Sequence, residues 1–235
     1  MSAASLSALF SWDVLAWSKP LLKGLGVTVI CALLGYLFGA LLGLLIAFAK
    51  LGSSRLLSGT ATAYTVLLRG VPPLLVIFLL FFGTNSLLMW IASGFGYNDY
   101  IEIDAFFIGV IAVTLVVAAY STEVYRSGFK AVPIGQFEAC HALGLRPMHG
   151  MLFVVIPQML RFALPGLGNV WIMAVKETTL LSIIAVSELM RVASSAGRTT
   201  GQPFLFYGLA ALAYFTIVLV SNRFFHWMED RLRHS

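Results

Sequence analysis

The sequence predicts an all-α polytopic membrane protein with about five transmembrane helices and one short helix on the cytoplasmic side. Of the 235 residues, 60% are hydrophobic and only 11% are charged, whereas about 25% of the residues of a soluble domain are charged. The mean hydropathy of the chain is +0.92. The clearest apolar run, residues 24–49, contains no charge and exceeds the roughly 20 residues that span a bilayer.

Composition also excludes several functional classes. The net charge of +5 arises from 15 basic and 10 acidic side chains, and in so apolar a chain it indicates membrane topology rather than nucleic-acid binding. Cys31 lies in an apolar run and Cys140 in a polar loop, so we expect no disulfide between them. The histidines do not pair with cysteine or carboxylate at ligand spacing, so we expect no metal site in this chain.

The first span is residues 24–49. Residues 1–23 are expected to be an external segment rather than a signal peptide, because its lysines precede an apolar run too long for one. Gly35, Gly39 and Gly43 repeat at every fourth residue of the span and form a ridge on which a helix can pack closely. That helix belongs either to the same chain or to a second membrane subunit.

The second apolar run, residues 56–92, is interrupted by Arg69 and by the glycine and two prolines that follow it, which should break or kink a helix. Arg69 either marks an interfacial end of the span or lines a polar path, since charge at membrane depth tends to face a cavity. The next loop, residues 94–104, is expected to be external because it carries acidic and no basic residues, namely Asp99, Glu102 and Asp104.

Three further spans follow, at residues 105–122, 162–190 and 204–221. Glu123 and Arg126 close the third span and stand three residues apart, a spacing at which they can pair on a helix. Four polar residues interrupt the fourth span near its middle, namely Lys176, Glu177, Thr178 and Thr179. Near its end, Glu188 and Arg191 are expected to pair at the surface.

Basic residues indicate the orientation. With five spans and an external N-terminus, the cytoplasmic side collects nine of them, namely Lys50, Arg55, Arg126, Lys130, Arg146, Arg161, Arg223, Arg231 and Arg233. The external side has four, namely Lys19, Lys23, Arg191 and Arg198. The positive-inside rule therefore predicts an external N-terminus, a cytoplasmic tail at residues 227–235, and a cytoplasmic loop after the third span.

That loop contains the short helix. Pro133 suits its first turn, where a missing N–H costs nothing, and Gly144 suits the position after its end, because glycine adopts positive φ readily. About ten residues lie between them, too few to cross a bilayer. Phe137, Cys140, His141 and Gly144 recur at three- and four-residue steps, so we expect a soluble partner to contact the face that they form.

The loop resembles a known family at these residues. Glu138-Ala139-Cys140, Gly144 three residues later, and Val154-Val155-Ile156-Pro157 after nine more are similar to the E-A-A, G and I-x-L-P loop of bacterial ABC importer permeases. Cys140 stands where the family usually has alanine. Other matching segments resemble the branch that carries histidine, arginine, glutamine and opines: 119–126, 132–136, 164–165 with Asn169, and 176–180.

The resemblance implies a fold, a function and partners. Residues 24–226 would form the transmembrane domain of a permease subunit in the bacterial inner membrane, and residues 131–157, here named the coupling loop, would dock on a dimer of ATP-binding subunits. Those subunits would hold ATP and Mg²⁺, a second permease subunit would complete the pore, and a periplasmic solute-binding protein would deliver substrate. The residues expected to couple to the ATPase are Gln136, Glu138, Ala139, Cys140, Gly144 and Pro157.

The sequence leaves two interpretations open for each set of candidate polar residues. Glu123 and Arg126 form either a structural pair or part of a gate. Lys176 and Glu177 are adjacent and point about 100° apart on a helix, so they do not simply pair with each other. One interpretation is that each meets another buried polar group or that the span bends or ends there. The other is that they line a substrate path together with Thr178, Thr179 and possibly Arg69.

Other functional classes fit less well. The chain has no G-x-x-x-x-G-K-[ST] phosphate loop and no catalytic constellation, so we expect no enzymatic activity and assign ATP hydrolysis to another polypeptide. An ion-coupled secondary transporter is the main alternative, but it would be expected to show internal repeats, and none is apparent. A membrane-embedded enzyme is the other alternative.

Overall fold

The computed structural model describes residues 15–96 and 103–233, and within these ranges every regular element is a helix. The elements are α1 (Ser18–Leu51), α2 (Arg55–Gly70), α3 (Pro73–Gly94), α4 (Ala105–Ala131), α5 (Ile134–Ala142), α6 (Pro147–Gly150), a π-helical turn (Met151–Val155), α7 (Ile156–Glu177), a 3-10 turn (Thr178–Ser182), α8 (Leu189–Thr200) and α9 (Pro203–Arg233). Most of the expected external segment and of the acidic loop lies outside the described residues.

Five helices of the described ranges are long and apolar enough to cross a membrane, namely Ser18–Leu51, Pro73–Gly94, Ala105–Ala131, Pro147–Ser182 and Pro203–Leu232. This confirms the predicted fold class. A helix is favoured in lipid because it satisfies its backbone hydrogen bonds within one segment. The last of these helices is longer than expected, because the predicted span at residues 204–221 and most of the tail after it form the single helix α9.

The chain forms two compact units. The first unit contains residues 1–35, 73–113 and 174–219, and the second contains residues 36–72, 114–173 and 220–235. The coupling loop and the pair of Glu123 and Arg126 belong to the second unit. The polar residues 176–179 belong to the first unit.

The second apolar run is two helices rather than one interrupted span. Helix α2 ends at Gly70, where the Val71 N–H donates to the Leu67 carbonyl at 3.0 Å. Helix α3 begins at Pro73 and alone has the length and hydropathy of a span. Pro72 and Pro73 have no N–H with which to continue α2, so the helix break that the sequence predicts after Arg69 is confirmed.

The fourth span ends earlier than predicted. Helix α7 stops at Glu177, a 3-10 turn follows, and the chain reaches α8 through a non-helical segment in which Ala185 has a φ of 72°. The hydroxyl of Thr178 donates to the Val175 carbonyl and that of Thr179 to the Lys176 carbonyl, each at 2.7 Å. The helix ends where these threonines take up its last carbonyls. Of the alternatives that the sequence left open, the one in which the span ends at these polar residues is therefore confirmed, and the apolar continuation to residue 190 is wrong.

Glu188 is the buried polar centre of the first unit. Its carboxylate caps α8 by accepting from the N–H groups of Met190 at 2.8 Å and Arg191 at 2.7 Å. It also accepts from the Tyr214 hydroxyl at 2.9 Å and the Thr28 hydroxyl at 3.4 Å, and it has no exposed surface. The expected surface pair with Arg191 is wrong, because the Arg191 guanidinium instead donates to the Ser182 carbonyl. The carboxylate thus joins α1, α8 and α9.

Glycines bring the helices of the second unit into close contact. A Cβ on Gly39 would lie 2.6 Å from Val117 Cγ1, and a Cβ on Gly43 would lie 2.8 Å from the Ala118 carbonyl oxygen. Both contacts are to α4, so these two ridge glycines pack on a helix of the same chain. Of the two partners that the sequence left open for the ridge, the internal one is confirmed for Gly39 and Gly43.

Helices α4 and α7 meet in the same way at Gly166, and this contact predicts a compensating pair of substitutions. A Cβ on Gly166 would lie 2.7 Å from Val124 Cγ1, so we expect Gly166→Ala to destabilise the chain by about 1–3 kcal/mol through overpacking. Adding Val124→Ala should restore much of the loss, as measured by thermal unfolding of the detergent-purified full chain. Gly83→Ala is the control, because nothing lies within 4 Å of its Cβ position. If Gly166→Ala destabilises the chain equally with Val124 and with Val124→Ala, the contact between these two residues is refuted.

Candidate functional site

The short helix of the coupling loop is α5, which has defined signals at both ends. Pro133 precedes it with φ of −58° and ψ of 138°, one residue earlier than expected. Gly144 follows with φ of +69°. The N–H of Gly144 donates to the His141 carbonyl and that of Leu145 to the Cys140 carbonyl, each at 3.0 Å. This is a Schellman motif, in which a glycine in the left-handed region ends the helix abruptly.

One side of α5 is held by the second unit. The Phe137 side chain packs against a core that is formed by α1, α4 and α7, with Ala47, Tyr125, Phe129, Val132, Val155, Met159, Ala163 and Leu167 as its buried members. The Gln158 amide donates to the Gln136 side-chain oxygen at 3.0 Å, which ties α5 to α7. These contacts come from both flanking helices, so α5 cannot shift without displacing core side chains of α4 and α7.

Cys140 is part of that anchorage. It is buried, and a Cβ on Gly150 would lie 3.1 Å from the Cys140 Cβ and 3.2 Å from its Sγ. The expected contact face of Phe137, Cys140, His141 and Gly144 is therefore corrected, because Phe137 and Cys140 point into the protein. The bulk of the residue at position 140 matters to the packing of the loop on itself, and Cys140 offers no surface to a partner.

The opposite side of α5 is exposed and largely apolar. Glu138 and Ala139 lie on this side, and both are exposed to solvent. Three large apolar side chains are nearby in the loop and are 76%, 77% and 67% exposed, namely Ile134, Leu143 and Met148. Several large apolar side chains that are exposed on one loop are typical of a protein-binding surface.

Pro157 lies where the loop becomes helix α7. It has no N–H to donate to the Phe153 carbonyl, and the turn just before it, Met151–Val155, is wound as a π-helix. A wider turn commonly accommodates a break of this kind in the ladder of hydrogen bonds. Pro157 itself is exposed, whereas Val155 is buried in the core of the second unit. The proline therefore sets the geometry of the helix as it leaves the loop.

A partly buried ionic network lies in the second unit. The ammonium of Lys50 contacts one oxygen of Glu123 and donates to the Thr65 hydroxyl at 2.7 Å. The Arg126 guanidinium lies 2.8 Å from the other carboxylate oxygen. One acidic residue thus pairs with two bases, and the network joins α1, α2 and α4. Removal of Glu123 would leave two basic side chains without their acidic partner at low exposure, which is costly.

Arg69 lies further along α2, next to the same helix α4. Its guanidinium stands over the ring of Tyr120, 5.3 Å from the ring centroid, and the arginine is exposed. The Tyr64 hydroxyl donates to the Leu115 carbonyl at 2.7 Å and holds the two helices together nearby. The second unit therefore contains Arg69, Glu123 and Arg126 along one pair of helices, while the rest of the expected substrate path is in the first unit.

The residues at positions 176–179 differ in their freedom to bind. The hydroxyls of Thr178 and Thr179 are engaged by backbone carbonyls, and Lys176 is exposed. Glu177 is the exception, because its Oε2 is buried and has no hydrogen-bond partner among the described residues. A buried carboxylate oxygen without a donor is rare in a native structure and can receive one from a ligand.

Sequence reasoning missed three of these residues. Lys50 had been assigned only to the end of the first span, although it is 73 positions from Glu123. Gln158 had no assigned partner, and Glu188 had been assigned to a surface pair with Arg191 instead of the buried cap of α8. The one available signal was that Lys50 and Glu123 both close spans at the same predicted side of the membrane, which places opposite charges at one level.

The chain was compared with known proteins. The model of the family described as "binding-protein-dependent transport system inner membrane component" matches residues 20–234. The chain is 44% identical to the nopaline transport system permease protein NocQ of Agrobacterium fabrum, over 92% of each chain. It is 39% identical to the octopine transport system permease protein OccQ of Rhizobium radiobacter, over 96% of this chain and 95% of that one.

A solved structure supports the same relationship. The crystal structure of an amino acid ABC transporter with histidines contains a chain that superposes with a TM-score of 0.80 and 31% sequence identity, covering 98% of this chain and all of that one. The match extends over the helices that carry the coupling loop and the ionic network, as the family model does. The chain therefore belongs to the family of binding-protein-dependent transport system inner membrane components.

Proposed function

We propose that the chain is the permease subunit of an ATP-driven importer for a polar amino acid or amino acid derivative, and that α5 is its contact with the ATPase. A soluble ATP-binding subunit, working as a dimer, would hold ATP and Mg²⁺. A second permease subunit would complete the pathway, and a periplasmic binding protein would deliver the substrate. The relatives named above are permeases for nopaline and octopine, and the related structure is of an amino acid transporter.

The observation that carries this proposal is the contrast between the two sides of α5. The inner side is fixed by Phe137, Cys140 and Gln136, whereas the outer side exposes Ile134 and Glu138. A short helix of nine residues buries too little to be needed for the fold. Because it is firmly held, a force applied to its outer side would be transmitted to α4 and α7 rather than absorbed by a flexible loop.

The distribution of basic residues supports a cytoplasmic location for α5. By the positive-inside rule, Lys130, Arg146 and Arg161 around the loop favour the cytoplasmic side, which gives an external N-terminus and a cytoplasmic C-terminus. The ATPase is on that side of the membrane. The ionic network of Lys50 and Glu123 with Arg126 would hold α1, α2 and α4 together as the loop moves, and it could also open as a gate.

For the substrate, we place the greatest weight on Glu177. Its buried oxygen can accept from the ammonium or guanidinium group of an amino acid or opine, since the described residues supply no competing donor. Lys176 next to it can meet a carboxylate. Thr178, Thr179 and Arg69 are assigned supporting roles in the path. A basic amino acid, glutamine and an opine are all compatible with this set.

Cysteine crosslinking tests the contact face. In a background with Cys31→Ala and Cys140→Ala, we expect Glu138→Cys and Ile134→Cys to crosslink to a co-expressed ATP-binding subunit that carries surface cysteines. Phe137→Cys is the matched control on the inner side of the same helix, and its yield should be several-fold lower because that side chain packs in the core. Equal yields from both sides, or none from the outer side, would count against docking through α5.

Substitution of Gly144 tests the rigid end of α5. The residue has φ of +69° and nothing within 4 Å of its Cβ position, so only its backbone conformation resists substitution. A β-branched side chain in the left-handed region costs roughly 1–3 kcal/mol. We expect Gly144→Val to reduce substrate-dependent uptake in vesicles at least about tenfold, with normal insertion. Gly144→Asn should retain most activity, because asparagine tolerates the left-handed region. Normal uptake by the valine variant would contradict the proposal that a rigid α5 transmits force to the membrane helices.

Substitution of Glu177 tests the substrate path. Loss of a charge-assisted hydrogen bond should raise the KM for uptake about tenfold in Glu177→Gln, with the amount of protein in the membrane unchanged. Thr179→Val is the control, because its hydroxyl already donates to the Lys176 carbonyl, and its KM should change by less than about twofold. An unaltered KM in the glutamine variant would remove Glu177 from the path.

A further inference from the structure

Helices α7 and α9 of the second unit pack against each other along an antiparallel seam. The Trp171 indole N–H donates to the Ser221 hydroxyl at 2.7 Å. One turn further, Gly168 approaches Phe225 so closely that a Cβ on the glycine would lie 3.1 Å from the Phe225 ring. Residue numbers fall along α7 as they rise along α9, so the next turns of the seam bring residues near 161–165 opposite residues near 229–232.

At that point the seam opens into a groove. The groove has a volume of about 470 Å³ and is lined by Arg161, Phe162, Pro165, Glu229 and Leu232. Pro165 lies inside α7 and has no N–H to donate to the Arg161 carbonyl. The proline therefore leaves a backbone acceptor without its helical donor in the same turn as the Arg161 side chain.

The two charged side chains of the groove do not neutralise each other. Arg161 is exposed and forms no hydrogen bond or ion pair with the described residues. The Glu229 side chain is only 20% exposed. Its one ion pair within the described residues, at 3.4 Å, is with His226, which is charged only when protonated. Opposite charges that line one groove without forming an ion pair leave space for a ligand that carries both charges.

The groove lies at the end of two membrane spans. Helix α9 has 31 residues, or roughly 46 Å at 1.5 Å per residue, whereas the hydrocarbon core is about 30 Å thick. Its last third carries the charged residues. Trp227 is half-exposed there, stacks on Phe224 and receives the Arg231 guanidinium over its ring at 5.1 Å. Tryptophan with a neighbouring arginine is typical of the headgroup layer of a bilayer.

We propose that this groove binds the headgroup of a zwitterionic phospholipid with a primary ammonium, that is, a phosphatidylethanolamine of the surrounding membrane. The phosphate pairs with the Arg161 guanidinium. The ammonium donates to the Glu229 carboxylate and to the Arg161 carbonyl that Pro165 leaves without a donor. The acyl chains lie along the apolar exposed surface that begins at Phe162. The bound headgroup thereby gives each of the two charged side chains of the groove a partner of opposite charge.

The chemistry of the site separates this lipid from two others. Phosphatidylcholine carries the same charges, but its trimethylated nitrogen has no N–H to donate. Phosphatidylglycerol presents the phosphate without a cation and would be repelled by Glu229. A site that recognises only the phosphate would retain phosphatidylglycerol at least as well as phosphatidylethanolamine. An unselective lipid shell would retain all three lipids equally.

Native mass spectrometry tests the assignment. The full chain is purified in detergent and mixed with equal amounts of the three lipids, all with the same acyl chains. We expect phosphatidylethanolamine to be retained about tenfold more than either other lipid. Arg161→Gln and Glu229→Gln should each lower its retention to the level of phosphatidylcholine. Arg223→Gln is the control, since it removes a charge from α9 outside the groove, and should change retention by less than about twofold.

A photocrosslinker decides what occupies the groove in the membrane. Benzoylphenylalanine at position 232 is activated in cells that assemble the transporter. A lipid adduct supports the proposal, and an adduct to another protein overturns it, because the groove is then an interface. Equal retention of the three lipids, retention of phosphatidylglycerol at the same level as phosphatidylethanolamine, or wild-type retention in both glutamine variants would each overturn it as well.

Discussion

Lipid offers no hydrogen bonds, so a chain in the membrane must satisfy its own backbone groups, and the remaining features of this protein follow from that constraint. It explains why the described residues form helices and why each interruption is marked by explicit polar partners. At the end of α2 the Val71 N–H closes the last turn. After α7, Thr178 and Thr179 take up carbonyls, and Glu188 accepts the first N–H groups of α8. Polar side chains that form hydrogen bonds with the backbone are therefore concentrated at the breaks between helices.

Close approach and charge pairing hold the second unit together. Gly39 and Gly43 allow α1 to contact α4 directly, and lipid provides little hydrophobic drive to bring helices together, so such van der Waals contacts count for more than they would in water. The network around Glu123 adds directional contacts between α1, α2 and α4. The single carboxylate of Glu123 pairs with two bases, so the network as a whole carries a net positive charge in a partly buried place.

The coupling loop combines a rigid anchor with an adaptable surface. Its anchor uses three kinds of contact, namely the aromatic packing of Phe137, the amide pair of Gln136 with Gln158, and the tight fit of Cys140 on Gly150. Its surface uses side chains that tolerate exposure in the absence of a partner. In the proposed function the loop would have to transmit a push and also release its partner, and a fixed helix with a modest exposed apolar face suits both requirements.

Much of the fold and the place of the candidate site could be predicted from the sequence, because hydropathy, prolines and the motif around Glu138 and Gly144 are local properties. Five spans, the short helix and its glycine stop are all of this kind. The contacts between distant segments that position the residues of the candidate site could not be predicted. Lys50 meets Glu123 across 73 residues, and Cys140 turns inward although its spacing suggested an exposed face.

The sequence by itself determined that the chain enters the membrane, how many spans it has, and which loop carries the family motif. Only the tertiary structure decided which residues face inward, that α7 ends at Glu177, and that Glu188 is a buried helix cap. The physical reason is that hydrophobicity and backbone preference act over a few neighbouring residues and leave a periodic pattern. Pairing of charges and interlocking of side chains act between distant segments and leave no such pattern in the sequence.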